Sequence, residues 1–308
     1  MCFNLNDEAK KRTYLMANFS IRELEQLSGI KAHTIRIWEK RHRLIVPKRT
    51  ATNIRYYSDD DLKKIINVSL LNNHGVKISK IVTLSEQEIN QQVFKLSEEK
   101  ANVEVYIDQL VLAMIDLEEE QFDKVLSRLT LKLGFENAIL DVVYPFLEKI
   151  GILWLTENIS PAQEHFITHL IRQKIIVAID ALQVPSKLSK NAILFLPENE
   201  QHEIGLLFYH YLARNSGIRT YYLGQNVPYR DLKSICEIHK PSLIITSITS
   251  SPQPRQIQGF LDQLCGDFPT STIFASGAAL RKFTLQKPSN LVVFENAKGL
   301  KIALNSVK

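Results

Sequence analysis

The sequence predicts a multi-domain chain in which an all-α winged helix-turn-helix is followed by a four-helix bundle and then by an α/β doubly wound parallel sheet. Three observations predict it. Two short helical patterns meet at Gly29 and lead into a polar hairpin; apolar residues recur every three or four positions from Ala101 to Leu182; and strands alternate with helices from Asn191 onward. With 308 residues and 45% hydrophobic content, the chain can fill more than one core. The implied divisions are an extension over 1–17, with Met16 a second candidate start, a helix-turn-helix over 18–84, a linker or helix over 85–100, a bundle over 101–184 and the sheet domain over 190–308.

Composition excludes several classes. No apolar run approaches the roughly 20 residues of a membrane-spanning helix and no signal-peptide core opens the chain, so a cytoplasmic protein without a membrane partner is expected. Cys2, Cys236 and Cys265 are scattered without metal-ligand spacing, which argues against a disulfide framework or a zinc knuckle. The net charge of +5 is mild, so its distribution carries the information.

Ser20 with Glu23 forms a capping box for a helix through Ile21, Leu24 and Leu27, and Gly29 turns the chain into a second helix through Thr34, Ile35, Ile37 and Trp38. Between positions 31 and 49 the basic residues Lys31, Arg36, Lys40, Arg41, Arg43, Lys48 and Arg49 face one acid, Glu39. A charge run alone is commonly a solvated face, but a cluster of this kind also makes a phosphate-binding footprint. Lys48 to Thr50 and Arg55 to Tyr57 read as strands around Ala51-Thr52-Asn53, a basic and aromatic wing that supports the second reading. Ser58 to Asp61 then caps a third helix ending near His74-Gly75, and Ile78 opens a fourth. Ile37 and Leu44 are expected in the core, and Trp38 is expected to pack rather than to stack on a base.

In the bundle segment, breaks near Asp116-Leu117, Leu133-Gly134 and Thr156 to Ser160 divide four helices. Across the last break, Trp154 ends one helix while Glu164 and His165 open the next behind Ser160, Pro161 and Gln163. Two readings stand here: Trp154 in the core with Glu164 serving the helix dipole, or the three side chains converging on a ligand. His165 and His169 share a helical face, yet no third metal ligand is visible at a suitable spacing.

The last segment alternates strand Asn191 to Leu196, helix 202 to 216, strand Ile218 to Leu223, helix 229 to 239, strand Leu243 to Ile248, helix 254 to 265, strand Ser271 to Ala275, a helix, strand Leu291 to Phe294 and a final helix. Ligands in such sheets bind beyond the carboxyl ends of the strands. There stand Glu200-Gln201-His202-Glu203-Ile204-Gly205, Ser247 to Ser250 and Ala275 to Ala278, with neither a Gly-x-Gly-x-x-Gly nor a P-loop.

Two resemblances follow. Ile35 to Arg41, Pro47 to Thr50, Asn53 to Tyr57, Asp61-Leu62 and Gly75 to Ile78 resemble the MerR family of winged-helix regulators. That resemblance implies a recognition helix in the major groove of a two-fold operator in double-stranded DNA, a wing on the backbone, and a homo-oligomeric protein with RNA polymerase as a further partner. The DNA-contacting candidates are Thr34, Arg36, Lys40, Arg41, Arg43, Arg49, Arg55 and Tyr56. Glu200, His202 and Gly205 resemble the Asp-x-His-x-x-Gly loop of the cobalamin-binding fold of methionine synthase and its relatives, with Glu for Asp. It implies a Rossmann-like domain with His202 as the axial cobalt ligand, Glu200 orienting its ring, Gly205 admitting the nucleotide tail, and Ser247, Thr249 and Gly277 along the pocket.

Taken with Trp154, Glu164 and His165, the chain resembles the light-responsive cobalamin regulators of carotenoid genes, which implies adenosylcobalamin as cofactor, a dimer or tetramer, a repressor-like role and no catalytic residues. Leu155 stands where some members place a second cobalt-seeking histidine, and Ala278 replaces the second glycine of the usual pair. Rival readings are a cobalamin-independent regulator answering another ligand or a protein partner, and a corrinoid methyl carrier.

Overall fold

The structure, a computed structural model, describes residues 19–50, 52–99, 103–155, 159–250, 254–282 and 284–306. The expected extension over 1–17 lies outside them. The chain divides into two compact units, Met1–Ile167 and Thr168–Lys308.

In the first unit, α1 (Ile21–Ser28) begins at the reciprocal Ser20–Glu23 capping box and ends at Gly29, whose φ of 71° is the left-handed turn a glycine enters without a Cβ clash. Helix α2 (Ala32–His42) follows, then the antiparallel strands β1 (Lys48–Arg49) and β2 (Arg55–Tyr56), with Lys48 opposite Tyr56 and Arg49 opposite Arg55. Helix α3 (Asp59–Asn73) starts at a second capping box, Ser58 with Asp61. Its Leu62, Ile65 and Ile66 are buried, as are Leu24 and Leu27 of α1, which contacts both α3 and α2, and Ile35 and Trp38 of α2; the Ser69 hydroxyl donates to the Ser28 carbonyl at 2.6 Å. After α4 (Ile78–Ile81), α5 (Glu86–Glu99) occupies most of the expected linker as a helix, because Ile89 and Val93, one turn apart, give it a buried face against α3.

The bundle comprises α6 (Val103–Asp116), α7 (Glu119–Leu133), α8 (Phe135–Ala138), a π-helical turn (Ile139–Val143), α9 (Tyr144–Leu155) and α10 (Pro161–Asp180). Pro145 accounts for the π turn: it has no N–H for the Asp141 carbonyl, its ring needs room there, and Tyr144 N instead donates to Ile139 O, five residues back. Lys149 Nζ meets Asp108 Oδ1 at 2.7 Å and ties α9 to α6.

In the second unit the strands β3 (Asn191–Pro197), β4 (Arg219–Val227), β5 (Leu243–Ser247), β6 (Thr272–Ser276) and β7 (Leu291–Val293) lie parallel in the order β4-β3-β5-β6-β7. The helices between them are α11 (Glu203–Asn215), α12 (Tyr229–His239), α13 (Pro254–Asp267) and α14 (Ala278–Arg281), and α15 (Ala297–Ser306) ends the unit. Strand β4 extends past the expected Leu223, because at Gly224 (φ 81°) the register with β3 slips so that Phe195 pairs Gly224. All of β5 is buried, as a strand covered on both faces must be. From β3 the chain winds outward to β4 and then crosses to β5 on the other side. The crevice at which such a sheet takes ligands therefore opens beyond the ends of β3 and β5. Among the described residues no helix is long and apolar enough to cross a membrane.

Candidate nucleic-acid and cofactor sites

Helix α2 sorts its residues by face. Ile35 and Trp38 turn into the core, while Arg36, Lys40, Arg41 and Arg43 are exposed and Thr34 is half-buried. Trp38 is packed at 5% exposure, as expected for a core indole, and Leu44 is buried. Ile37 contradicts the expectation: it is 43% exposed, because two residues beyond Ile35 a helix has turned about 200° and points away from the core. It lies among the basic side chains. Glu39, the one acid of this stretch, accepts a 2.5 Å hydrogen bond from the buried Tyr57 hydroxyl; burial first, then this carboxylate, raises the Tyr57 pKa. The acid thus turns toward β2 and leaves the outward face to the cations. In the wing, Arg49 Nη1 donates to Asn53 Oδ1 at 2.7 Å and braces the turn at Asn53 (φ 65°), while Arg55 and Tyr56 are half-buried.

The bundle residues form a separate group. Ser160 and Gln163 make the expected capping box, Gln163 N donating to Ser160 Oγ at 3.2 Å and Ser160 N to Gln163 Oε1 at 3.1 Å. Glu164 and His165 therefore stand in a fixed first turn of α10, with His165 Nε2 3.6 Å from Glu164 Oε2. The Trp154 side chain lies outside the described residues. Among the described residues, no three His, Cys, Asp or Glu side chains are grouped to hold a metal ion, His165 and His169 included. Cys236 and Cys265 are buried free thiols whose pKa values burial pushes up, that of Cys236 to about 12.

In the second unit the structure gathers Glu200, His202, Thr249 and Ser250 at the crevice between β3 and β5. Glu200 Oε1 meets His202 Nδ1 at 2.6 Å and accepts from the backbone N–H groups of Gln201 and His202 at 3.0 Å each. Its Oε2 accepts from Thr249 N and Ser250 N, both at 2.7 Å. The carboxylate is only 2% exposed. Burial alone would raise its pKa, but the histidine and the convergent backbone donors overcome that and hold it down at about 2. An ionised carboxylate at Nδ1 fixes the ring's tautomer and plane, which leaves Nε2 as the atom to carry a metal on a side chain 63% exposed.

Glu203 anchors the start of α11: it accepts from the Tyr222 hydroxyl at 2.8 Å and stands 3.0 Å from Arg172 Nε. Ser250, whose hydroxyl also reaches Glu200 at 3.2 Å, was not singled out from sequence. Its only advance signal is a hydroxyl in the loop beyond β5.

Three expected pocket residues differ in kind. Ser247 is buried, its Oγ 3.4 Å from that of Ser276, which donates on to Tyr209 at 3.1 Å, so its hydroxyl belongs to an internal chain. Gly277 has φ 117°, and a Cβ there would lie 2.1 Å from the Ile248 carbonyl oxygen. The loops after β5 and β6 themselves demand that glycine. At Gly205, by contrast, a Cβ would meet only Tyr209, at 3.8 Å, so the chain's own packing imposes no glycine and space remains beside the helix start.

Residues 19–88 match the MerR HTH family regulatory protein and residues 106–178 match a B12 binding domain. The chain thus carries a MerR-type helix-turn-helix and, after it, a B12-binding domain. The chain is 25% identical over 263 residues to the HTH-type transcriptional repressor CarH of Myxococcus xanthus, covering 83% of this chain and 87% of that one. CarA, a second such repressor from that organism, is 25% identical over 254 residues, or 81% and 84% of the two chains. Among solved structures, the monomethylamine corrinoid protein of Methanosarcina barkeri superposes with a TM-score of 0.53 at 17% identity, over 65% of this chain and 98% of that one. This similarity is one of fold.

Proposed function

We propose that this protein is a repressor whose operator binding is set by cobalamin, taken up as adenosylcobalamin, and that Nε2 of His202 is the atom that would ligate its cobalt. The observation that carries the reading is the buried Glu200 carboxylate, locked on His202 Nδ1 at 2.6 Å at the sheet's switch point. The donor set suits the group: a neutral imidazole oriented by a carboxylate is a strong ligand for a borderline metal, and the open side of Gly205 leaves room for a tail. Bound cobalamin would supply a cobalt centre, a cobalt–carbon bond and a light-absorbing ring. His202 holds, Glu200 orients, and Thr249 and Ser250 keep the carboxylate ionised through their N–H groups. Glu164 and His165, with Trp154, are proposed as further residues that would contact bound cobalamin. On the DNA side, Arg36, Lys40, Arg41 and Arg43 of α2 and Arg49, Arg55 and Tyr56 of the wing are proposed to meet phosphates, and Thr34 a base edge, in a dimer or tetramer that answers to RNA polymerase. No catalytic role is assigned.

The test is reconstitution with adenosylcobalamin in the dark, followed by absorption spectra before and after illumination. The wild-type protein is expected to give the spectrum of imidazole-ligated cobalt and His202→Ala to lose it. An identical spectrum in the two proteins sinks the assignment. A dark spectrum that illumination leaves unaltered removes the light response, on which Leu155 bears directly.

A further inference from the structure

Helix α6 ends in an unusual way. Glu118 N donates to Ala113 O and Leu117 N to Met114 O, the paired bonds of a Schellman ending, with Leu117 at φ 55° where glycine is the ordinary residue. A leucine in that region is strained and stays there only when its surroundings impose it. The Ile115 carbonyl, which neither of those bonds uses, is one of the terminal acceptors a helix cannot satisfy from within. Gln163 Nε2 fills it at 3.1 Å.

Gln163 is a two-sided clamp. Its Oε1 accepts from Ser160 N at 3.1 Å and completes the cap of α10, while its amide nitrogen donates to α6. An inverted amide would set oxygen against carbonyl and nitrogen against N–H, so both partners fix its orientation. One residue beyond Ile115, Asp116 pairs with Nζ of Lys63 on α3, and Asp60 Oδ1 lies 3.6 Å from the same ammonium. Lys63 is only 25% exposed, so the pair is partly withdrawn from solvent. Through adjacent residues of α6, Ile115 held by Gln163 and Asp116 held by Lys63, the turn that carries Glu164 and His165 is therefore connected to a helix of the DNA-binding head.

We propose that Gln163, Asp116 and Lys63 are positioning residues that transmit a displacement at the start of α10 to helix α3 and thereby, through α1, which contacts both, to the recognition helix α2. A network of contacts earns that role only when its removal uncouples the two ends. The ligand at α10 is the cobalamin of the proposed function, and on that point the inference rests on that reading.

Gln163→Glu separates the two sides of the clamp, because a glutamate at this position still completes the capping box but has no N–H for Ile115. In the ligand-free full chain, hydrogen exchange is expected to rise at least tenfold over 113–118 and also over 59–66 in Gln163→Glu and in Asp116→Asn. Lys63→Asp combined with Asp116→Lys should restore the slow exchange of α3. Faster exchange confined to α10 and α6 overturns the link, whatever the protein binds.

The second arm measures affinity for a duplex selected by the wild-type protein from a random pool, with and without adenosylcobalamin in the dark. The ratio of the two affinities should fall at least fivefold in Gln163→Glu while its cobalamin affinity stays within twofold of wild type. An unchanged ratio refutes the transmission. A wild-type ratio of one refutes the proposed function instead, and the exchange arm still decides the link.

Discussion

A half-buried imidazole and a buried carboxylate give this protein separate acid limbs. Burial, and then the charge of Arg214, lower the His210 pKa from 6.5 to about 4, and the ring stacks on Tyr222 with centroids 5.0 Å apart. A histidine kept neutral in the fold stabilises it fully above the unfolded value, and that contribution fades as pH falls from 6.5 toward 4. Glu200, brought down from 4.5 to about 2, acts lower: its stabilisation is whole above 4.5 and is lost as pH falls toward 2. Denaturant titrations at pH 7, 5 and 3 should show His210→Phe abolishing most of the loss in the upper window. Glu200→Gln should be weaker at pH 7, with a flatter lower window. Swapped or unaltered windows would contradict these assignments.

At the same scale, neutralising Arg36 or Arg55 should weaken DNA binding about tenfold and reduce the slope of log affinity against log salt by roughly one, since each lost phosphate contact leaves one set of counterions in place. Unchanged slopes would show that the contacts lie elsewhere. The residue scale also shows what a sequence can and cannot reveal. Glu200 and His202 were legible because their chemistry resides in side chains. Thr249 is expected along the pocket for its hydroxyl, but what it and Ser250 give Glu200 is mostly a backbone N–H that any residue but proline could offer, and that role is not legible in a sequence. Ile37 was misplaced because an apolar side chain was assumed to face inward, and its angle from Ile35 settles otherwise.

At the scale of elements, local signals were the readable ones. The capping boxes at Ser20, Ser58 and Ser160 and the turn at Gly29 need only neighbouring residues, and each helix starts or stops where they stand. Helix α5 could not be told from a linker, because Ile89 and Val93 stabilise it only by burial against α3, a contact between distant parts of the chain. Pro145 alone does not announce the π turn before Tyr144, because whether a proline kinks, ends or widens a helix depends on what packs around it. The loops at the crevice yield a paired prediction. Gly277→Ala drives a Cβ into the Ile248 carbonyl in a left-handed backbone and should cost more than about 2 kcal/mol in denaturant unfolding. Gly205→Ala meets no such obstacle and should leave stability within about 1 kcal/mol while weakening cobalamin uptake measured by calorimetry. Equal stability losses would show that the two glycines serve the same purpose.

At the scale of the whole molecule, regulation is a statement about linked equilibria. A DNA-binding head and a cofactor domain on one chain influence one another only if cobalamin has different affinities for the operator-bound and operator-free protein. Linkage then makes the influence mutual. If cobalamin changes operator affinity by a given factor, saturating operator DNA must change cobalamin affinity by that same factor at equal assembly state, and a coupling of 1–3 kcal/mol corresponds to about 5- to 150-fold. The measurement is a pair of titrations in the dark at one salt concentration: operator binding with and without adenosylcobalamin, and adenosylcobalamin binding with and without operator. Factors that agree and exceed about fivefold are expected. Factors that disagree would identify self-association as a third linked equilibrium, because an oligomer formed with one ligand adds its own free energy to only one leg of the cycle. If both factors are one while His202 still ligates cobalt, cobalamin would be bound without governing DNA, and the regulatory reading would have to move to a protein partner.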